Sequence, residues 1–362
     1  MKVLHIFPFT VFAINYIKGF EEYPNHAEHI FWLYGSQATR EERKITFSNT
    51  SNIIQKEDQF EELELVYNSC DIFVIQCIPE NPKLYESLYH CFINNPKPFV
   101  IVPWGREVFK ESDLYKFGEK PVIDQIDKYK SFFIEKCSYM VVSKWMFSYI
   151  EKHYKTKSKH SYFNCLNGFL IDDYSKEMKK NKLKKGVLVG HRGTITSGHL
   201  EVLHRMEKWK KKIDIVLCPL VYGNPDYIEE VEKSGQELFG EQWKSIRKWM
   251  DKKEYYNYLE KTIDIAVFNT NASEGNNTVF FLIYAGKKVY VNKNSELYWV
   301  LKELNLEFYE WNQNMEEEVF FEPLTEEQVK HNRTTMEQFG NMQIVYGKWR
   351  EIFDFLYKTG NN

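Results

Sequence analysis

Short runs of consecutive apolar residues recur along the chain, each bounded by polar or turn-forming positions. Val3–Phe7, His29–Tyr34, Asp71–Gln76, Pro98–Val102 and Tyr139–Val142 fall in the first half; Val187–Val189, Ile213–Cys218, Ile263–Asn269 and Lys288–Val291 fall in the second. Segments with helical spacing separate them, such as Asn81–Phe92, Lys144–His153, His199–Trp209 and Pro225–Phe239. A strand that is apolar on both faces must be covered on both faces. Alternation of such strands with helices therefore predicts an α/β chain built on doubly wound parallel sheets.

The alternation fails once, at Asn167–Lys185, which is polar, lysine-rich and broken by Gly168 and the turn Asp172–Tyr174. It then restarts. With 362 residues the chain exceeds one ordinary core. The expected organisation is an N-terminal domain 1–166, a linker 167–185 and a C-terminal domain 186–340, with a closing helix within 341–362 that packs back on the N-terminal domain. Both domains are expected to be Rossmann-like.

Ligands of such sheets sit outside the carboxyl ends of the strands, and there the loops carry the distinctive residues. After Val187–Val189 comes Gly190-His191-Arg192-Gly193-Thr194. Glycines admit close backbone approach, a helix start offers free N–H groups to an anion, and Arg192 adds a fixed cationic fork. After Ile263–Asn269 comes Thr270–Thr278, in which Gly275 turns the chain, Asn276, Asn277 and Thr278 suit a helix start, and Glu274 is placed to reach ribose hydroxyls. Tyr222 lies in a third such loop, after Ile213–Cys218. After Pro98–Val102 comes Trp104-Gly105-Arg106-Glu107. There a tryptophan can stack on a sugar ring and a carboxylate can take a hydroxyl proton. His5, near the end of the first strand, is a candidate substrate contact. Each motif also has a structural reading: a plain strand–helix turn, simple capping, a surface Arg–Glu pair and a satisfied core histidine.

Several classes are disfavoured. The net charge of -3 gives no general attraction to nucleic acid. The six cysteines form no C-x-x-C, which fits a reducing compartment. No Asp-x-Asp, G-x-G-x-x-G, Walker, G-x-S-x-G or zinc-finger spacing occurs. No metal site and no cofactor are expected. The N-terminus has a single leading Lys2 and is broken by His5, Pro8 and Asn15, unlike a signal peptide. No apolar run reaches the length of a membrane span. A cytoplasmic protein is expected, soluble or peripheral. Two lysine runs, Lys179–Lys185 and Lys208–Lys212, are either solvated faces or patches that meet anionic lipid of the inner membrane.

The segments VLVGHRGTITSGH, IVLCPLVYGNPDYIEEV and YYNYLEKTIDIAVFNTNASEGNNTVFFLIYAGKKVYVN resemble glycosyltransferase family 56, the bacterial family of the TDP-N-acetylfucosamine:lipid II N-acetylfucosaminyltransferase. The resemblance is clearest across Gly186–Val300 and weaker through Trp104-Gly105 and Tyr139–Tyr174. It implies a GT-B architecture, two Rossmann-like domains with their sheets facing a central cleft, and metal-independent sugar transfer. Gly190 and Gly193 match the family's first glycine turn, His199 a histidine after it, Pro219 and Tyr222 its second loop, and Gly275 and Thr278 its third. Trp104 and Gly105 match its N-domain W-G, and Glu107 falls where the family has Asp. Arg192, Thr194, Asn276 and Asn277 depart from the family pattern, and the first ~90 residues match it poorly.

The resemblance implies transfer of a deoxyamino sugar such as N-acetylfucosamine, from a dTDP-type donor to a lipid-linked or cell-surface glycan acceptor. Glu107 would act as base and Arg192 would stabilise the leaving diphosphate. Gly190, Gly193, Thr194, Tyr222, Glu274, Gly275, Asn276, Asn277 and Thr278 would bind the donor. His5, Trp104 and Gly105 would bind the acceptor. The alternative is a non-catalytic GT-B-like protein that binds glycan or partners another transferase.

Overall fold

The computed structural model describes residues 1–35, 52–56, 60–77, 81–110, 127–166, 168–169, 185–271, 274–312 and 314–360. Most of the expected linker, and with it most of Lys179–Lys185, lies outside the described residues. The chain divides into two compact units. One comprises the described residues of Met1–Tyr115, Glu119–Gly168 and Phe339–Asn362; the other is built on Phe169–Gln338.

The first unit carries a seven-stranded sheet of β1 (Lys2–Pro8), β2 (Glu28–Tyr34), β3 (Ile53–Lys56), β4 (Ile72–Gln76), β5 (Phe99–Val102), β6 (Tyr139–Val141) and β7 (Lys159–Ser161), in the order β3-β2-β1-β4-β5-β6-β7. The second carries a six-stranded sheet of β8 (Gly186–Val189), β9 (Ile215–Pro219), β10 (Trp243–Ile246), β11 (Ile265–Phe268), β12 (Lys288–Val291) and β13 (Tyr309–Glu310), in the order β10-β9-β8-β11-β12-β13. Every pairing is parallel. In each sheet the chain works outward from the first strand on one side, then crosses to the other. Strand order therefore reverses between β1 and β4 and between β8 and β11.

Central strands β4, β5, β8, β11 and β12 are buried along their whole length. Each fully buried Val, Leu, Ile or Phe contributes about 1.5–3 kcal/mol, so these continuous runs are stable only where helices cover both faces. The helix Met342–Gly360 supplies part of that cover in the first unit. Its Val345, Tyr346, Trp349, Ile352, Phe353 and Leu356 join the core that holds Val3, Phe7, Val74 and Val102. It approaches the helix Val11–Glu22 at Gly19, where a Cβ would lie 1.8 Å from the Tyr346 hydroxyl. That hydroxyl donates to Tyr16 O at 3.0 Å.

Polar groups also cross this core. His29 Nε2 lies 3.0 Å from Asn25 Oδ1, His29 Nδ1 lies 2.8 Å from His5 Nε2, and His5 Nδ1 lies 3.0 Å from the Tyr16 hydroxyl. His5 is wholly buried and stacks on Phe31. Burial, aided by the neighbouring His29, holds the His5 pKa well below the usual imidazole value, and burial pushes His29 down to about 3. In the second unit burial brings His199 to about 4. These folded-state values lie below those of the unfolded chain, so the unfolded state takes up protons first as pH falls. Stability is intact above pH ~6.5 and is lost as pH drops toward 4, by about 1.4 kcal/mol per pH unit for each such histidine. Urea unfolding at a series of pH values should show this slope, reduced in His29→Gln. A denaturation midpoint that stays level from neutral pH to below 5 contradicts it.

Candidate active site

In the second unit the order reversal places the loops after β8 and β11 side by side. Gly190 leaves β8 with φ +71° and its N–H donates to Val267 O of β11 at 2.9 Å. Only glycine fits there, because a Cβ would stand 2.2 Å from Nε2 of the fully buried His199. The His199 N–H is bound by the Tyr227 hydroxyl at 3.1 Å, while its Nε2 has no partner.

Arg192 Nε meets Glu274 Oε2, joining two loops that lie 82 residues apart in sequence. Glu274 is 8 % exposed, and its other oxygen accepts from Ser197 Oγ at 2.7 Å. Ser197 Oγ also lies 3.0 Å from Arg192 O and 3.1 Å from Thr194 Oγ1. The carboxylate expected to reach ribose is thus committed to holding Arg192. Among the described residues, no partner occupies the terminal amino groups of that guanidinium.

The loop after β9 is fastened to the same place. Gly193 N donates to Tyr222 O at 2.9 Å and Asn224 N to Gly193 O at 2.8 Å. The Tyr222 ring is 45 % exposed, and its hydroxyl lies 3.2 Å from His191 Nε2. Burial lowers the His191 pKa; Glu274 opposes this and Arg192 adds to it. At neutral pH the imidazole is therefore uncharged.

Gly275 has φ +76° and caps the helix Asn276–Tyr284. No side chain caps the first turn, which contains no acidic residue. Its N–H groups are therefore left for a ligand, and the helix dipole favours an anion there. Asn276 Oδ1 has no partner. Thr278 differs from expectation: its side chain is 3 % exposed and belongs to the helix's buried face, so the first-turn backbone carries any contact at this position.

In the first unit, Trp104-Gly105-Arg106-Glu107 follows β5 as a tight turn into the short 3-10 helix Arg106–Val108, and Gly105 has φ +139°. Glu107 Oε1 accepts the Trp104 N–H. The carboxylate lies near Tyr85, whose hydroxyl pKa burial raises. Trp104 packs edge-on against Phe7 and Phe12, each with ring centroids 5.7 Å away.

His5 does not join this group. It has no exposed surface and both ring nitrogens are engaged within the core. The expected acceptor contact is replaced here by a structural role. Lys208–Lys212 lies in the 3-10 segment Glu207–Lys212, where Lys212 pairs with Glu317. Among the described residues, no cluster of three or more His, Cys, Asp or Glu side chains is poised to hold a metal. No helix there is long and apolar enough to cross a membrane.

Residues 80–353 match the family model of the 4-alpha-L-fucosyltransferases, glycosyl transferase group 56. The chain belongs to glycosyltransferase family 56. It is therefore a sugar-transferring enzyme, and solved structures agree on the GT-B fold. A glycosyltransferase from Rickettsia africae ESF-5 is 15 % identical with a TM-score of 0.69, over 99 % of this chain and 98 % of that one. The lipopolysaccharide outer core galactosyltransferase WaaB is 12 % identical with a TM-score of 0.62, over 98 % and 100 %. An alpha-glucosyltransferase in complex with UDP is 10 % identical with a TM-score of 0.53, over 98 % and 100 %. In this family 56 chain, Ser197, which donates to Glu274, is a contact of the candidate site that sequence reasoning passed over. Its signal was the hydroxyl-rich stretch Thr194-Ile195-Thr196-Ser197 directly after the glycine turn.

Proposed function

We propose that this family 56 enzyme transfers a deoxyamino sugar, of the N-acetylfucosamine type, from a dTDP-type nucleotide donor to a lipid-linked or cell-surface glycan, without a metal. The observation that carries the reading is Arg192, held by Glu274 beside the uncapped helix start at Gly275, where β8 and β11 reverse the strand order. Ligands of open α/β sheets bind at such reversals. A departing diphosphate would meet the Arg192 amino groups and the main-chain N–H groups of Asn276, Asn277 and Thr278. Preorganised donors of this kind stabilise developing charge without reorganisation. The UDP bound by the alpha-glucosyltransferase relative is consistent with a nucleotide ligand. Glu107 would accept the proton of the attacking hydroxyl in an inverting transfer. Work on the cytoplasmic face of the inner membrane would suit a lipid-linked acceptor, with Lys208–Lys212 meeting anionic lipid.

Thermal melting with dTDP, UDP, GDP and NAD tests the donor site. A nucleoside diphosphate at ~100 times its Kd should stabilise the fold by about 2.7 kcal/mol, and NAD should not. Transfer or donor hydrolysis should persist in EDTA and fall by about 10²-fold or more in Glu107→Gln. Loss of activity in EDTA that magnesium restores is incompatible with the metal-free reading. Absence of turnover with dTDP-linked sugars is incompatible with the dTDP-type donor reading.

A further inference from the structure

His191 stands between the loops proposed to hold the leaving diphosphate, and the donor reading gives it no part. Its Nε2 lies 3.2 Å from the Tyr222 hydroxyl, while its buried Nδ1 has no hydrogen-bond partner. The ring rests against the residue that opens the helix Asn276–Tyr284: a Cβ on Gly275 would lie 3.2 Å from His191 Cβ and 3.3 Å from its Cγ. Among the described residues, the titratable and charged groups that face the imidazole are Arg192 of its own loop, Glu274 after β11, Tyr222 after β9 and His199 of the helix His199–Met206. Burial and Arg192 work against a charge on the ring, and Glu274 works for it. With the site empty the first two prevail, and the imidazole is neutral.

The charge balance of the site gives that neutrality a consequence. Arg192 and Glu274 cancel as an ion pair, and the helix start offers only partial positive charge. A nucleoside diphosphate arrives fully ionised above pH ~7, since a terminal phosphate loses its second proton near pH ~6. Seated on the first-turn N–H groups, its charge lies beside the His191 ring. An anion within about 4–6 Å favours the protonated form of an imidazole, the more so where water is excluded. An imidazolium also donates from both nitrogens. Nε2 then keeps Tyr222, and Nδ1 has an N–H to give to the acceptor that the empty site lacks. His199 Nε2 is unpartnered too, but it faces the backbone of Gly190 instead.

We propose that His191 takes up a proton when a nucleoside diphosphate seats at Gly275, so that the site is neutral when empty and cationic when filled. This rests on the donor reading above and supplies that site with the charge it lacks. The sign of the linkage sets the pH dependence. Affinity is greatest while the bound imidazole holds its proton, and it weakens as pH rises through that titration, by up to about tenfold per pH unit. Return of the proton to solvent leaves the site neutral again, which eases release of the spent nucleotide.

Calorimetric titration of the full chain with dTDP and with UDP at about pH 7.5, in HEPES and in Tris, counts the protons taken up, because the two buffers differ in their heat of ionisation. Wild type should take up about half a proton or more beyond His191→Gln. The subtraction removes any proton that the nucleotide itself gives up. His199→Gln should keep the wild-type count. Ring-nitrogen NMR spectra of the wild type need no variant and decide the matter should His191→Gln fold poorly. In them a bound nucleotide should convert one imidazole of the ten from the neutral to the doubly protonated pattern. Equal counts in wild type and His191→Gln overturn the proposal, as does a count lost in His199→Gln and kept in His191→Gln. Ring spectra in which no imidazole changes do the same. In each of these cases nucleotide binding itself leaves the donor reading standing. A wild type that binds neither nucleotide removes that reading, and this one with it.

Discussion

Arg192→Ala should lower donor turnover by about 10²-fold or more while leaving the second unit folded. The pair Arg192–Glu274 is close to neutral, so its pull on a diphosphate comes from directed donors rather than from net charge. Removing the guanidinium takes those donors away. It also leaves the Glu274 carboxylate, 8 % exposed, as an uncompensated charge in the place proposed for the leaving group. Uncompensated buried charge costs about 3–5 kcal/mol of stability, so the single variant will also melt earlier. Arg192→Ala combined with Glu274→Gln separates the two effects. The double variant should regain stability, because the buried charge is gone, and should not regain turnover, because the donors are still missing. Unchanged steady-state kinetics in Arg192→Ala, or recovered turnover in the double variant, would remove Arg192 from the leaving-group role.

Gly190→Ala should be among the most destabilising single changes in the second unit. Two causes act together. The residue holds φ +71°, where an L side chain costs about 1–2 kcal/mol. Its new methyl would also stand 2.2 Å from His199 Nε2, and overpacking of this kind costs about 1–3 kcal/mol more. The imidazole cannot simply turn away, since it is wholly buried on the helix His199–Met206. Differential scanning calorimetry of Gly190→Ala, His199→Ala and the double variant forms a cycle. The double variant should be free of the clash and keep the backbone penalty, so its loss should be smaller than the sum of the singles. Strict additivity would mean that the glycine is required for its backbone alone.

The sheets were legible because their central strands are buried on both faces and so leave unbroken apolar runs. β3, β7 and β13 left no such trace. The last two are three and two residues long, β7 reads Lys-His-Ser, and each of these strands lies at a sheet edge with hydrogen bonds on one side only. Short, charged edges resist pairing with other chains, and the same property hides them from a search for apolar runs. Asn276, Asn277 and Thr278, expected to suit a helix start, form the first turn of the helix, because Gly275 in a left-handed conformation turns the chain into it at once. The glycine turns at Gly190, Gly193 and Gly275 could be found one at a time. The ion pair between Arg192 and Glu274 could not, since only the adjacency of β8 and β11 brings those loops together. Of the two readings of His5, a substrate contact and a satisfied core histidine, the structure shows the second. Strand position alone does not tell whether a histidine faces solvent or, as here, a core that already holds Asn25, His29 and Tyr16.

The helix Met342–Gly360 gives the chain an unusual order of assembly. Its Trp349, Phe353 and Leu356 complete a core whose first strand is made at the opposite end of the polypeptide. During synthesis, the second unit leaves the ribosome with nearly all of its own residues and is free to form. The earlier-made unit must wait through that whole interval with an apolar face uncovered. A nascent chain halted before Met342 should therefore expose a chaperone-binding surface on its older half, although that half was translated first.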